Sequence, residues 1–398
     1  MSIPTVSLRD IVEAKTGTRT PTALPEESFT YVDVASVDNE SKSITGSRSL
    51  FGSEAPSRAR KVIRQGDILV STIRPNLNAV ALVPADLDGQ IASTGFCVLR
   101  PTDRALSEYL FYFVQSQSFV GSLCTLVAGA MYPAVSDSQV LGQRIPLPDV
   151  VEQRRIVDLL SRAEGIVRLR RYAQKKAAEL IPAIFVNMFG DPATNPKGWL
   201  TLPLNEVSEV ISGVAKGRQL SGDDLIELPY VRVGNVKDGH LDLSEVKTIE
   251  IKRSEVEKLR IEPGDLLMTE GGDPDKLGRA ALWCGEIDLC VHQNHIFKVR
   301  GNRALLLPEY LRSLVSSAYG KAYFLRVAKK TTGIASINKT QLSAFPVVLP
   351  RLDLQEKFKK RVEAVESVLA QQVCASATAQ STFDSLLATH FRFTKDDK

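Results

Sequence analysis

Two long stretches of this chain place apolar residues every three or four positions, and most of the rest alternates apolar with polar. From Val151 onward, Ile156, Leu159, Ala163 and Ile166, then Ala173, Ala177, Leu180 and Ile184, keep a 3-4 spacing that predicts an amphipathic helix, with Arg170 on the same seam. A second series runs through Phe358, Val362, Val365 and Leu369 to Ala379, Phe383 and Leu386, with Gln372 and Ser376 among them. Polar residues at seam positions lower stability but fix register and partner. Pro182 is expected to kink or end the first helix, because it deletes a backbone donor and crowds the preceding turn. Each helix alone would leave its stripe exposed, so the two are expected to pack as an antiparallel coiled coil about thirty residues, or ~45 Å, long.

Ahead of each helix lies a region of about 145 residues with short alternating, β-branched segments between Gly, Pro and Asn turns. Examples are ThrTyrValAspVal from Thr30, AspIleLeuValSerThrIle from Asp67 and HisIlePheLysVal from His295. One helix is predicted inside each region, from Ser107 to Val120 and from Pro308 to Val327, the latter with Pro at a tolerated first-turn position. The two regions are copies. VSLRDIVEAKTG ending at Gly17 matches LPLNEVSEVISG ending at Gly213, and YVDVASVDNE from Tyr31 matches YVRVGNVKDG from Tyr230. VIRQGDILVST around Asp67 matches RIEPGDLLMTE around Asp265, SEYLFYFVQSQ around Tyr109 matches PEYLRSLVSSA around Tyr310, and the exits at Pro148 and Pro350 also align. The offset drifts only from 196 at Gly17/Gly213 to 202 at Gln153/Gln355, in unchanged order. The predicted architecture is mixed α/β and pseudo-two-fold: domains at 1–149 and 191–351, helices at 150–190 and 352–390, and a tail at 391–398.

Composition narrows the function. The 398 residues are 43% apolar and 24% charged, which excludes disordered, collagen-like and disulfide-scaffold classes. No uninterrupted apolar run approaches a membrane span, the first twenty residues contain no apolar signal core, and the five cysteines include no CxxC pair. A cytoplasmic protein is expected. Lys and Arg number 50 against 46 Asp and Glu, divided as 22 and 20 up to Gly198 and 28 and 26 beyond it, so each half carries +2. Any nucleic-acid role must therefore rest on local patches rather than bulk charge.

Catalytic signatures are missing: there is no phosphate loop, GxGxxG turn, GxSxG elbow, HExxH helix or NPPY-like methyltransferase loop. Cys284, Cys290, His292 and His295 have zinc-compatible chemistry, but their spacing is irregular and the first copy has no equivalent, so hairpin strands are the better reading and no metal is expected. Asp242, Glu250 and Lys252 form a nuclease-like D…ExK set that would hold Mg²⁺, although ExK triplets are common on solvated surfaces.

The basic and amide residues beside turns are more informative. In the first copy these are Arg58, Arg60, Lys61, Arg74, Asn76 and Asn78, joined by Tyr132 and Ser136. In the second they are Lys216, Arg218, Arg232, Asn235, Lys276, Arg279, Lys330, Asn338 and Lys339. Arg pairs bidentately with guanine, Asn with adenine, and Lys and Ser suit phosphate oxygens, although solvated charge explains any one of them equally well. The first long helix adds eight basic residues against four acidic, a face suited to nucleic acid, to an acidic partner or to solvent alone.

The chain resembles the specificity subunits of type I restriction-modification enzymes over essentially its whole length. The marks are the duplication, the Gly66-Asp67 and Gly264-Asp265 turns before apolar strands, and the exits Ile145 to Pro148 and Val347 to Pro350 leading into Gln-containing helix starts. MetPheGlyAspPro at Met188 and AsnProLysGlyTrp at Asn195 resemble that family's junction into its second target-recognition domain. The resemblance implies a non-catalytic subunit that binds no cofactor. Each domain would read one half of a split DNA site, through the residues just named. The helix pair, as long as ~13 base pairs at 3.4 Å per step, would set the gap and dock two methyltransferase subunits. Those partners would bring S-adenosylmethionine, and motor/nuclease subunits are further candidate partners. The rival readings are a Mg²⁺-dependent nuclease built on Asp242, Glu250 and Lys252, and a helical scaffold that never touches DNA.

Overall fold

The protein is described by a computed structural model covering residues 3–127, 133–218, 224–273, 276–331 and 333–392. Its backbone packing divides the chain into two compact units, 1–172 with 373–398, and 173–372, so each long helix contributes one end to each unit.

Both units are mixed α/β and share one strand plan. In the first, Phe96–Leu99, Ile68–Ser71 and Val80–Leu82 form an antiparallel sheet in that order, and Arg48–Phe51, Ser28–Val32, Ile91–Ser93 and Ala59–Val62 form a second, whose central pair is parallel. In the second unit Ile296–Gly301, Leu266–Thr269 and Ala280–Leu282 repeat the former, extended by Ser208–Ser212, and Lys247–Lys252, Leu225–Val231 and Val291–His292 repeat the latter. The parallel pairings Val32 with Ala92 and Val231 with His292 make those residues equivalent. A two-stranded ribbon closes each head at its exit, Thr5–Ser7 with Arg144–Pro146 and Leu200–Pro203 with Pro346–Leu349.

Two buried polar devices recur. Asp67, 1% exposed at the Gly66 turn, receives Arg100 bidentately at 2.8 and 2.8 Å and the Arg64 amide at 2.8 Å. Asp265 receives Arg300 at 2.7 and 2.7 Å and the Glu262 amide at 2.7 Å. Gly66 and Gly264 hold φ of +85° and +95°, which explains glycine before each aspartate. Gln153 and Gln355 are both fully buried in the first turn of a long helix. Gln153 accepts from the Leu106 amide at 2.9 Å and donates to the Arg104 and Pro148 carbonyls at 3.0 and 2.9 Å; Gln355 does the same with Leu307, Leu305 and Pro350 at 2.9, 2.9 and 2.8 Å.

Each inner helix proves to be two. Ser107–Phe113 and Gln117–Thr125 replace the single helix expected over 107–120, and Pro308–Ser316 and Ala318–Val327 replace the one over 308–327. The break is a cap: Ser116 and Ser317 take extended backbone and accept from the Phe119 and Gly320 amides, restarting the helix in a new direction. Pro182 does not end its helix, which runs unbroken over Val150–Phe189. Pro182 and Ala178 are both exposed, so water can serve the Ala178 carbonyl that loses its partner.

The inward stripe of that helix also differs in phase. Leu159, Ile166 and Leu180 are 36, 52 and 48% exposed, while Leu160 and Val167 are 0 and 6% exposed and Ile181 is half-buried. Each lies in an adjacent apolar pair, and the second member turns inward because the helix packs against its head as well as a helix. Ile156, Leu160 and Val167 share one core with Tyr109, Phe113, Phe383, Leu387 and Phe391. In the second unit Phe185 and Phe189 pack on Phe358 at ring distances of 5.6 and 5.3 Å and on Tyr310 at 5.4 and 4.9 Å. Phe358 and Val362 are fully buried, Ala177 and Phe383 nearly so, and Ala163, Ala173, Val365, Leu369 and Leu386 are half-buried.

Removing one partner of a buried ion pair strands the other. Asp67→Asn is expected to cost ~3 to 5 kcal/mol, read as a lower urea midpoint. Asp265→Asn should cost less, because the Arg300 side chain is 32% exposed and keeps Glu262 at 2.9 Å.

Candidate nucleic-acid interface

In the first unit a chain of backbone contacts joins four of the sequence candidates. The Arg58 carbonyl accepts from Thr94, Thr72 donates to Gly95, Ile73 bridges Ala134, and the Arg74 amide donates to the Pro133 carbonyl at 2.8 Å. Ser136 follows directly, and Asp137 takes Lys61 at 2.5 Å. Arg58, Lys61, Arg74 and Ser136 thus lie on connected segments. Arg74 and Asn78 flank the turn at Pro75–Leu77 with φ of +50° and +47°, a left-handed conformation that costs an arginine on the order of 1 kcal/mol. The turn presents Arg74 and Asn76 to solvent, and neither side chain has a partner among the described residues. Arg58 is likewise exposed and unpaired among them.

Other candidates are occupied. Lys61 also donates to the Phe96 carbonyl at 2.6 Å, and Arg60 holds the Ser57 carbonyl and the Thr20 hydroxyl at 3.1 and 2.7 Å. Asn78 turns inward, donating to the Gln115 carbonyl at 3.4 Å while its own carbonyl accepts Lys42 at 2.7 Å. Ser136 caps the helix Asp137–Leu141, its hydroxyl bonded with Gln139. Tyr132 lies outside the described residues.

In the second unit the candidates gather less. Asn235 is 4% exposed and staples its own loop, donating to the Asp242 and Glu245 carbonyls at 2.8 and 3.0 Å and accepting from the Arg232 amide at 2.9 Å. It cannot read a base from there. Arg232 bends back to the Glu245 carbonyl at 3.1 Å. Arg218 is paired bidentately with Glu255 at 2.8 and 2.7 Å, which holds that carboxyl down to about 2, and Lys216 lies exposed two residues before it. Asn338 caps Lys339–Ser343, accepting from the Gln341 amide at 2.9 Å. Around it, Gly271–Gly272, Ile334–Ser336 and Lys329–Thr331 form a three-stranded sheet with Lys330 exposed on its outer strand, and Lys339 is exposed too. Lys276 is paired with Asp273, and Arg279 is half-buried.

The zinc-like residues are put to other uses. Cys284 is exposed and Cys290 buried, the His292 ring meets the Ile296 carbonyl at 3.0 Å, and His295 is held by Glu270 at 2.6 Å. Asp242 is tied to Ser244 at 2.7 Å, whereas Glu250 and Lys252 stand exposed on the strand Lys247–Lys252. Among the described residues no group of three or more His, Cys, Asp or Glu is assembled for a metal. Sequence reasoning passed over the Glu270–His295 pair, because its members lie 25 positions apart and only the fold unites them. Among the described residues no helix is long and apolar enough to cross a membrane.

The chain is thus a duplicated α/β scaffold that carries a different basic and amide surface on each copy. A family model described as the type I restriction modification DNA specificity domain matches residues 3–179. The EcoKI specificity subunit of Escherichia coli (strain K12) is 26% identical over 320 residues, 75% of this chain and 68% of that protein. The StySPI specificity subunit of Salmonella potsdam is 24% identical over 316 residues, 75% of this chain and 67% of that one. A solved chain described under complex assembly and conformational transition of the type I R-M system matches with a TM-score of 0.64 and 29% identity, covering 98% of this chain and 97% of that one. Over residues 3–179 the chain matches the type I DNA specificity domain, and over most of its length it is similar to specificity subunits of type I restriction-modification systems.

Burial, reinforced by the Lys298 ammonium, pushes the His292 imidazole down to about 4. The unfolded chain therefore takes up a proton between pH 6.5 and 4 that the folded chain refuses, so stability is full above pH 6.5 and falls as pH drops through that window. The loss should approach roughly 3 kcal/mol. His292→Ala, the residue type of the equivalent Ala92, should flatten that part of the urea midpoint's pH dependence.

Proposed function

We propose that each unit reads one half of a split DNA site, and that the two long helices set the gap and dock two methyltransferase subunits. The chain itself performs no chemistry; S-adenosylmethionine comes with the partners, which methylate adenine. The observation carrying this reading is that one strand plan, one Asp–Arg pair and one glutamine staple occur twice, while the residues at the presented turns differ. A repeated scaffold with unrepeated surface suits two half-sites of different sequence. The exposed Leu159, Ile166, Leu169 and Tyr172 on the first long helix, 36, 52, 67 and 60% exposed, support protein docking there. Arg58 and Arg74 are free to meet phosphate or guanine, so affinity should fall steeply with salt.

Mapping N6-methyladenine across the source genome with and without the gene tests the reading. Loss of one motif of two short blocks around an unspecified gap is expected, and unchanged methylation together with no salt-dependent DNA affinity in the assembled complex would favour a scaffold. Arg74→Ala should relax or weaken the half-site read by the first unit alone, by ~1 to 3 kcal/mol if the contact is bidentate. Deleting one heptad from each long helix should change the preferred gap; an unchanged gap would show that the helices do not set it.

A further inference from the structure

The strands Lys329–Thr331 and Ile334–Ser336 form an antiparallel ribbon whose inner strand is laid on Gly271–Gly272. A side chain at Gly271 would come within 3.0 Å of the Ala335 carbonyl and 3.1 Å of the Ser336 Cβ, so glycine permits the ribbon to lie directly against backbone. Its base is anchored: Ala335 and Ile337 are 0 and 1% exposed, and the Ile337 amide donates to the Glu270 carbonyl at 2.8 Å. Its outer strand is exposed at all three residues.

Alternation along strands sorts the side chains. The pairs Lys329 with Ser336 and Thr331 with Ile334 share one face; Ala335 faces the core from the other. That outward face therefore offers an ammonium, two hydroxyls and the branched hydrocarbon of Ile334, which is 56% exposed at the far end of an otherwise polar ribbon. Lys330 and Gly272 both pair with Ala335 and so share the opposite face, where the Lys276 Cβ lies 3.7 Å from where a Gly272 side chain would begin. At the foot of the ribbon Glu270 fixes the His295 ring through Nδ1 and leaves Nε2 without a partner among the described residues.

We infer that this ribbon enters the major groove of the second half-site, with Ile334 against the 5-methyl group of a thymine and Lys329 against a flanking phosphate. Strands ~4.8 Å apart with their side chains fit a groove about 12 Å wide, and the thymine methyl is the apolar group on that groove's edge. The minor groove is too narrow and carries no such group. At the corresponding place in the first unit Ile73 bridges Ala134 as Gly271 pairs with Ser336, and residues 128–132 lie outside the described residues.

The inference rests on the recognition reading, and the experiment separates the two. The chain is assembled with its methyltransferase subunits, and methylation rates are measured on duplexes carrying the motif, with each thymine replaced in turn by deoxyuridine, which lacks only the methyl. One replacement in the second half-site should slow the unaltered complex roughly fourfold. The Ile334→Ala complex should be indifferent to that replacement, while its response in the first half-site is unchanged. Lys329→Gln should lower the slope of affinity against salt by about one without altering the motif. Equal uridine responses by the two complexes, or an effect confined to the first half-site, would overturn the ribbon proposal and leave recognition standing. Methylation of no split motif by the unaltered complex would overturn both.

Discussion

A buried glutamine in the first turn of each long helix fastens that helix to its head, and the rest of the structure depends on the fastening. Gln153 and Gln355 each make three hydrogen bonds to backbone, two of them to the strand exit and the loop before the inner helix. Backbone groups buried at such a junction must find partners, and one amide side chain supplies both a donor pair and an acceptor. The tyrosines beside them add to the same joint, Tyr109 and Tyr310 donating to the Pro146 and Val348 carbonyls at 2.7 and 2.6 Å. A hydrophobic contact would tolerate sliding, whereas three directional glutamine bonds at each junction fix the angle at which that helix leaves its head.

Against this rigid joint the surface is free to vary. The Asp67–Arg100 and Asp265–Arg300 pairs hold equivalent strands together, yet their neighbours diverge. The second unit buries Lys298 on the Lys258 and Arg260 carbonyls, where the first has Val98 in an apolar core. Ser136 and Asn338 cap equivalent short helices with different side chains. An apolar and a polar filling serve one strand plan because the buried Lys298 ammonium finds its own hydrogen-bond acceptors.

The repeat, the α/β class and the position of both long helices were legible because they are carried by periodicity and by local turn chemistry. Legibility failed where two side chains competed for one role. Leu159 and Leu160, or Ile166 and Val167, satisfy a heptad equally well, and only the position of the head decides which turns inward. The serine breaks at Ser116 and Ser317 were hidden inside continuous helical patterns. The candidate site was legible as a set of turns but not as a set of free side chains. Arg74 and Asn76 stand open, whereas Asn235, Asn78 and Arg218 are consumed by partners on segments that spacing alone does not bring near.

The division of the chain has a consequence for its synthesis. The second unit is one continuous segment, 173–372, but the first is completed only by residues from 373 onward. Phe383, Leu387 and Phe391 complete the core around Tyr109 and Phe113, with Phe391 ring contacts at 5.2 and 5.6 Å. A nascent chain leaving the ribosome can close its second unit first, while the earlier-made unit waits with aromatic surface uncovered until the last helix emerges. The unit encoded first is thus the one finished last.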